Sequence, residues 1–307
     1  MTAADFNDTR YFPMLFALVI AFGYFGVVIL NKFRLLIAAV HRPAYFRDLP
    51  MRAANVITYA IGQKKMFKEP RAGVMHALIF WGFLVLQIRT IYLVVLAFLP
   101  EATIPFIHHP YALAKDVTEV VVLLMVVYAA YRRVVVKPPR LTLSGEALLV
   151  LFMIGALLVS DLLFDAFLFA EGLNSGQHVD RWTDEMAWAP VGALMSGWFM
   201  EMDAGHLIFG REAAYWTHIF IVLCFLNMLP GSKHFHVIAS VPNTLFGEVK
   251  SPGALRPIED IEEQESFGVD EVLDFDMRQI LDTYTCTECG RCSVNCPTTL
   301  TEKPLNP

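Results

Sequence analysis

Four of the five cysteines lie within eleven residues close to the end of the sequence. They are Cys286, Cys289, Cys292 and Cys296, and Pro297 follows the last of them. This C-x2-C-x2-C-x3-C-P spacing is an iron–sulfur pattern, in which one loop supplies several thiolates to a [4Fe–4S] cluster. Zinc sites more often use two separated C-x2-C pairs, so the spacing favours a cluster over zinc or no metal. We therefore predict a [4Fe–4S] cluster on these four cysteines.

The fourth cysteine of such a pattern commonly binds a second cluster, whose other ligands belong to a second cysteine run. The sequence reaches its last residue, Pro307, without a second run. Three interpretations stay open at this point. Cys296 completes a single cluster, or the second run belongs to a partner, or the sequence is a fragment.

Two histidines at the ends of an apolar segment form a second candidate site. His218 and His236 are 18 residues apart, which is five full turns on one continuous helix, so both rings would leave the same face. The rise of about 27 Å is close to the thickness of a bilayer's hydrocarbon core. Two superposed b-type haems require such a pair from one helix. The alternative is a membrane helix with an interfacial histidine at each end.

A haem bound by two histidines needs a second ligand from a facing helix. His76 begins another apolar segment, at a depth that matches His236, and we predict that these two residues bind one haem. The segment that holds His76 has no second histidine and carries Leu86 ten residues further on.

The partner of His218 is therefore less clear. His109, before a third apolar segment, is the preferred second ligand of an outer haem. His108 and His206 are alternatives, and a loop position without any ligand role is a further interpretation of His109.

Ionisable residues inside the apolar segments are a further candidate site, because charges are rare at membrane depth without a role. They are Arg89, Lys115, Asp116, Glu119, Asp161 and Asp165. Arg89 lies about 20 Å along a helix from His76 and is a candidate to bind a haem propionate. The acids are candidates to carry protons to or from a quinone. The alternative is an internal salt-bridge set without chemistry.

The composition indicates the elements that position these residues. The chain has 307 residues, of which 56% are hydrophobic and 18% charged, and its mean hydropathy is +0.49. These values are typical of a membrane protein with a polar appendage. Five segments are long enough to cross a bilayer, at roughly 12–38, 73–99, 111–134, 145–170 and 211–231. We predict an all-α membrane protein: a bundle of five transmembrane helices, followed by the start of a ferredoxin-like domain.

The distribution of Lys and Arg predicts the orientation. Seven lie between the first two predicted spans, and four lie at the end of the third span and in the link to the fourth, whereas loop 100–110 has none. We therefore expect the N-terminus outside and the cysteines in the cytoplasm. In the outer loop 171–210, the sequence AWAPVGALMSGWFM predicts a short helix on the outer surface.

Three regions follow from these patterns. Residues 1–242 form the predicted haem b membrane domain, and residues 281–307 form the iron–sulfur segment. Residues 243–280 between them are acidic and rich in Pro and Gly, which predicts a linker ending in a short helix that leads into the cysteines.

The predicted fifth span resembles that of the gamma subunit of respiratory nitrate reductase, through its histidine spacing and the trailing Ser240-Val241-Pro242. The resemblance implies five spans, an outside N-terminus and two b haems. His76, His218 and His236 match three of the four haem-ligand positions, and Leu86 stands at the fourth.

The whole chain is similar to membrane-bound heterodisulfide-reductase-like iron–sulfur proteins, including electron-transfer-flavoprotein:menaquinone oxidoreductases. The similarity lies in HALIFWGFLVL, LPGSKHFHVI, GALRPIEDIEE, FGVDEVLDFDMRQILDTYTCTECGRCSVNCP and KPLNP, and it covers essentially all 307 residues. Family members continue with a second cysteine run and cysteine-rich domains, so we expect a truncated or split member.

The resemblance implies electron transfer in the inner (cytoplasmic) membrane. The expected cofactors are a [4Fe–4S] cluster, one or two b haems and menaquinone. The expected partners are an electron-transfer flavoprotein or a cysteine-rich reductase subunit, a quinone and the lipid bilayer, but not nucleic acid. Three alternatives remain: a quinol-oxidising cytochrome b anchor of a heterodisulfide or sulfur-compound reductase, an ion or proton transporter, and a haem-free structural anchor.

Overall fold

The computed structural model describes residues 3–39, 47–100, 102, 108–247, 249, 262–263 and 271–303. Every regular element in these residues is helical, which confirms the all-α prediction for the described chain. The α-helices are α1 Ala3–Ala38, α2 Leu49–Asn55, α3 Pro70–Leu96, α4 His108–Tyr131, α5 Gly145–Asn174, α6 Val179–Ala187, α7 Pro190–Ser196, α8 Ala204–Met228, α9 His236–Leu245, α10 Met277–Thr285, α11 Arg291–Asn295 and α12 Pro297–Leu300.

The chain forms two compact units. The first unit comprises Met1–Phe22 and Arg71–Leu226, and the second unit comprises Gly23–Pro70 and Asn227–Pro307. Of the predicted linker 243–280, residues 248, 250–261 and 264–270 lie outside the described residues.

Four described helical segments are long and apolar enough to cross a membrane. They are Arg10–Ala38, Pro70–Leu96, Gly145–Asn174 and Ala204–Gly231. The predicted third span corresponds to α4, which has a similar length but is interrupted by Lys115, Asp116 and Glu119. A membrane-spanning role for α4, and with it the total of five spans, therefore stays a prediction.

The helix that was predicted to carry both His218 and His236 is broken between them. α8 ends at Met228, and two short 3-10 turns, separated by an extended Ser232, precede α9. Pro230, in the first of these turns, has no backbone N–H to continue the helical hydrogen bonds. The prediction of one five-turn register for both histidines is wrong, since His236 starts a separate helix.

The core of the first unit joins α1, α3, α5 and α8. Its buried members are Met14, Leu93, Ala97, Phe164, Ala214, Tyr215 and Ile219. The hydroxyl of Tyr215 donates a hydrogen bond to the Leu93 carbonyl at 3.0 Å. Arg10, 4.1 Å above the Tyr215 ring, also pairs with Glu212. Polar groups at this end of the core are thus satisfied across three helices.

The predicted short helix of the outer loop is present as α7. The Asp116 carboxylate on α4 accepts hydrogen bonds from the backbone N–H groups of Val191 (2.8 Å) and Gly192 (3.1 Å) at the start of α7. An added Cβ on Gly192 would lie 3.2 Å from the Phe169 ring of α5, so the two helices approach closely. These contacts hold α7 against α4 and α5.

The second unit is built around α9 and α10. The buried guanidinium of Arg52 donates to the carbonyls of Leu245 (3.1 Å), the last residue of α9, and Gly247 (2.7 Å), two residues further on. At the start of α10, Asp276 and Gln279 form a reciprocal capping box. This confirms the helix that was predicted to lead into the cysteines.

Gly82 is required where α3 crosses α4. A Cβ at this position would overlap Cγ2 of Val122 and lie 3.2 Å from Cγ2 of Thr118. We expect Gly82→Ala to lower the free energy of unfolding by about 1–3 kcal/mol, because overpacking a dense core forces its neighbours apart. Thermal unfolding of the full chain in detergent measures the change.

Gly155→Ala on α5 is the matched control, because its Cβ would lie 3.9 Å from Val126, an ordinary contact. We expect it to be neutral or to stabilise by up to about 1 kcal/mol through helix propensity. Val122→Ala should restore stability to the Gly82 variant. Equal effects of the two glycine substitutions would contradict the close crossing.

Candidate functional site

The four predicted cluster ligands lie on a short segment after α10. The first cysteine directly follows that helix, and positive φ angles at Glu288 (50°) and Gly290 (72°) turn the chain between the first three cysteines. Cys292 lies in α11, and Cys296 caps α12. The left-handed residues let one short loop present several thiols, as cluster binding requires.

Hydrogen bonds favour the thiolate form of Cys296. Its Sγ lies 2.8 Å from Oγ1 of Thr298. Hydrogen bonds from the hydroxyl and backbone N–H of Thr298, and from the backbone N–H of Thr299, lower the pKa of the Cys296 thiol. All four cysteines are described, and none forms a disulfide. Because the thiolate is the metal-binding form, this donor set fits an iron–sulfur cluster.

The cysteine segment is fastened to the turn that precedes His236. The rings of Phe235 and Tyr284 meet edge to face with centroids 5.5 Å apart. Nζ of Lys32 lies 4.9 Å and 4.6 Å from these two centroids. Lys233 pairs with Glu288, inside the cysteine loop. The second unit thus brings His236 and the predicted cluster ligands into one packed structure.

The ring of His236 is held in a form suited to metal binding. Its Nδ1 lies 3.1 Å from the Lys233 carbonyl, which only accepts hydrogen bonds, so Nδ1 carries the proton and Nε2 the lone pair. Burial lowers the pKa of His236, which favours the neutral ring. A carbonyl that orients Nδ1–H is the usual support of a metal-ligating histidine. Its predicted partner His76 lies on α3 in the first unit, so their pairing stays a prediction.

His218 is buried in α8 and is oriented by α5. Its Nδ1 lies 3.2 Å from the Leu157 carbonyl and 3.3 Å from the Ser160 hydroxyl. Its Nε2 is buried and has no hydrogen-bond partner among the described residues. An unsatisfied buried polar atom costs about 1–3 kcal/mol, and a metal ligated by Nε2 removes this cost. The site fits a haem ligand, and no pattern in the sequence pointed to Ser160 or Leu157.

The structure brings five of the six predicted intramembrane charges into one network. Nε of Arg89 lies 3.0 Å from the Asp161 carboxylate, and its Nη2 pairs with Asp165. Nζ of Lys115 lies 2.5 Å from the Asp165 carboxylate and 3.0 Å from that of Glu119. Each of the five residues is at most 9% exposed. This is the internal salt-bridge arrangement, so a propionate contact of Arg89 stays a prediction.

The predicted outer ligand His109 has an acidic partner. Its Nε2 lies 3.2 Å from the Asp184 carboxylate of α6, and its ring stacks on Trp188 at 5.4 Å between centroids. His108 similarly contacts Glu185, with 2.8 Å between Nε2 and the carboxylate. The sequence alternative His206 pairs with the neighbouring Asp203. These carboxylate partners were not predicted from the sequence.

Two curated proteins are similar to this chain. "Probable iron-sulfur-binding oxidoreductase FadF" of Bacillus subtilis (strain 168) is 31% identical over 300 residues, which are 96% of this chain and 41% of that protein. "EtfAB:quinone oxidoreductase" of Syntrophomonas wolfei subsp. wolfei (strain DSM 2245B / Goettingen) is 30% identical over 270 residues, 84% of this chain and 36% of that protein.

The chain thus spans about two fifths of the length of these relatives. No protein-family model matches it, and no solved structure does. The similarity supports the predicted resemblance to iron–sulfur oxidoreductases, whereas neither relative's name refers to a cytochrome b domain.

Asp161 is the carboxylate that Arg89 contacts through Nε. We expect Asp161→Asn to lower the free energy of unfolding by about 3–5 kcal/mol, because it removes one partner of the buried ion pair with Arg89. Unfolding of the full chain in detergent measures this change.

Asp203→Asn is the control, since Asp203 belongs to the exposed pair with His206. Exposed ion pairs contribute little to stability, so this substitution should be nearly neutral. A comparably small effect of Asp161→Asn would show that the buried network does not stabilise the fold.

Proposed function

We propose that the chain is the membrane part of an oxidoreductase that transfers electrons between a cytoplasmic partner and the quinone pool. The observation that carries the proposal is the packing of the four-cysteine segment against the turn that leads into His236. Candidate ligands of an iron–sulfur cluster and of a haem then lie within one unit. Both curated relatives are named oxidoreductases, which supports this class of function.

The partners follow from the relatives' names. The name "EtfAB:quinone oxidoreductase" supports the electron-transfer flavoprotein EtfAB as the cytoplasmic partner and a quinone as the membrane partner. Menaquinone is the quinone that we propose. The apolar segments support a location in the cytoplasmic membrane, with the N-terminus outside and the cysteines in the cytoplasm.

Four cysteines and two histidines hold the proposed cofactors. Cys286, Cys289, Cys292 and Cys296 are the proposed ligands of a [4Fe–4S] cluster. His76 and His236 are the proposed axial ligands of a b-type haem. His218, with its unpartnered Nε2, is the proposed ligand of a second haem. When bound, these cofactors supply one-electron transfer, which no amino-acid side chain here provides.

Residues of the chain orient the proposed ligands and set their protonation. The Lys233 carbonyl accepts a hydrogen bond from Nδ1 of His236, so the lone pair lies on Nε2, and the Leu157 carbonyl acts in the same way on His218. Hydrogen bonds to Cys296 stabilise its thiolate charge. His109 is not among the proposed haem ligands, because its ring pairs with Asp184 and stacks on Trp188.

The buried charge network is the proposed acid–base group. Reduction of a quinone to a quinol takes two electrons and two protons. In the network, Arg89 and Lys115 face three carboxylates, so one proton on a carboxyl group balances the charge. Glu119 is fully buried, and its carboxylate has a single cation, Lys115, 3.0 Å away from Oε2 among the ion pairs of the described residues. Glu119 is therefore the residue that we propose to take up and release this proton.

His76 and His236 should contribute to the same haem. We expect His76→Ala and His236→Ala each to remove the same b-type band from the reduced-minus-oxidised spectrum of the purified full chain. The reason is that a haem with two axial histidines binds weakly once either histidine is lost. His234→Ala is the control, since the His234 ring lies 6.0 Å from that of His236 and is assigned no ligand role. Unchanged haem content in either alanine variant would refute the assignment.

The cysteine segment should bind its cluster without help from the haem sites. We expect Cys289→Ser to abolish the electron paramagnetic resonance signal of the reduced cluster while leaving the haem spectrum intact. Cys224→Ser removes the one cysteine outside the motif, on α8, and should leave both signals unchanged. Persistence of the cluster signal in Cys289→Ser would sink the proposed ligand set.

A further inference from the structure

The start of α4 and the end of α6 meet in a cluster of metal-binding side chains. One ligand atom from each of His108, His109 and Glu185 lies within 4.8 Å of the others. Nε2 of His108 is 2.8 Å from the Glu185 carboxylate, and Nε2 of His109 is 3.2 Å from the neighbouring carboxylate of Asp184. All four residues belong to the first unit and are separate from the proposed haem and cluster ligands.

The spacing of these atoms suits a single transition-metal ion. Bonds of about 2.0–2.2 Å from zinc to imidazole nitrogen and carboxylate oxygen place tetrahedral ligands about 3.4 Å apart. Two separations, 2.8 Å and 3.2 Å, lie just below that value, and the ligand atoms of His108, His109 and Glu185 all lie within 4.8 Å of one another, so small rotations of half-buried side chains would close the site. Calcium and magnesium prefer all-oxygen sites, whereas two imidazoles favour zinc-like ions.

The unpartnered ring nitrogen of His108 favours a metal over two simple ion pairs, because an ion bound through Nδ1 would satisfy it. Nδ1 of His108 is buried and has no hydrogen-bond partner among the described residues. The pair with Glu185 satisfies only the other ring nitrogen. Direct His–carboxylate pairing therefore leaves the His108 ring incompletely satisfied. A divalent cation between the rings and the carboxylates accepts nitrogen lone pairs and neutralises the adjacent acids.

We infer that His108, His109 and Glu185 bind one divalent transition-metal ion of the zinc type, with its fourth position open to water. The ion fastens α6 to the first turn of α4. The same helix carries Lys115 and Glu119 two to three turns further on, so the clamp fixes the end of α4 nearest the buried charge network. The inference does not depend on the proposed electron transfer.

Calorimetric titration with Zn²⁺ tests the site. The full chain, in detergent and first treated with EDTA, is compared with His108→Gln and Glu185→Gln, which retain side-chain shape. We expect each variant to lose one equivalent of Zn²⁺ relative to the unsubstituted chain, with affinity at that site reduced by at least about 100-fold. Zinc bound elsewhere, for example by the cysteine segment, is common to all proteins and cancels in the difference.

His206→Ala is the matched control, because His206 also pairs with an acid but lies outside the cluster. It should keep the full stoichiometry. Trp188, stacked on His109, supplies a second readout: Cu²⁺ should quench its fluorescence, and Trp188→Phe should lose the quenching but keep the Zn²⁺ stoichiometry. Equal Zn²⁺ stoichiometry and affinity in the unsubstituted chain, His108→Gln and Glu185→Gln would overturn the inference.

Discussion

The buried ion pairs of Arg89 with Asp161 and Asp165 are the interaction on which the first unit depends. Charges removed from water must be paired, so α3 and α5 are fixed in rotation about their axes, and Lys115 fixes α4 in the same way. The ion pairs of Asp161 and Asp165 also set how the rest of α5 is oriented. Ser160 directly precedes Asp161, and the Leu157 carbonyl lies one turn earlier, where both reach the ring of His218. The charge network thereby orients the ring of His218 on a fourth helix, α8.

The second unit depends on a different interaction, a lysine between two aromatic rings. Lys32 lies over the rings of Phe235 and Tyr284, which come just before His236 and Cys286 respectively. The break after Met228 ends α8 before this packing begins, so Phe235 and His236 belong to separate elements of the second unit. Electron transfer requires cofactors held close together, and this packing brings two sets of candidate ligands into one unit.

The buried charge network and the cluster of His108, His109 and Glu185 both include residues of α4. Asp116 caps α7, while Lys115 and Glu119 join the buried charges, so one turn of α4 supports both packing and acid–base groups. The same charged residues interrupt its apolar sequence, which separates α4 from the four described segments that meet the requirements of a membrane span. The first turn of α4 carries the two histidines that face the acids of α6. The helix α4 thus carries both the residues that contact α6 and α7 and the residues proposed for acid–base chemistry.

The sequence by itself determined what local spacing and composition control: the cysteine pattern, the apolar helices, the helix before the cysteines and the short helix α7. Tertiary structure decided what depends on residues distant in the chain. It gave Arg89 its carboxylate partners, His218 its support from α5, and His109 its contact with Asp184. It also divided the helix between His218 and His236, although Pro230 and Gly231 marked the place. Periodicity assigns a face to a residue within one helix, whereas the partner of that face is set by packing between helices.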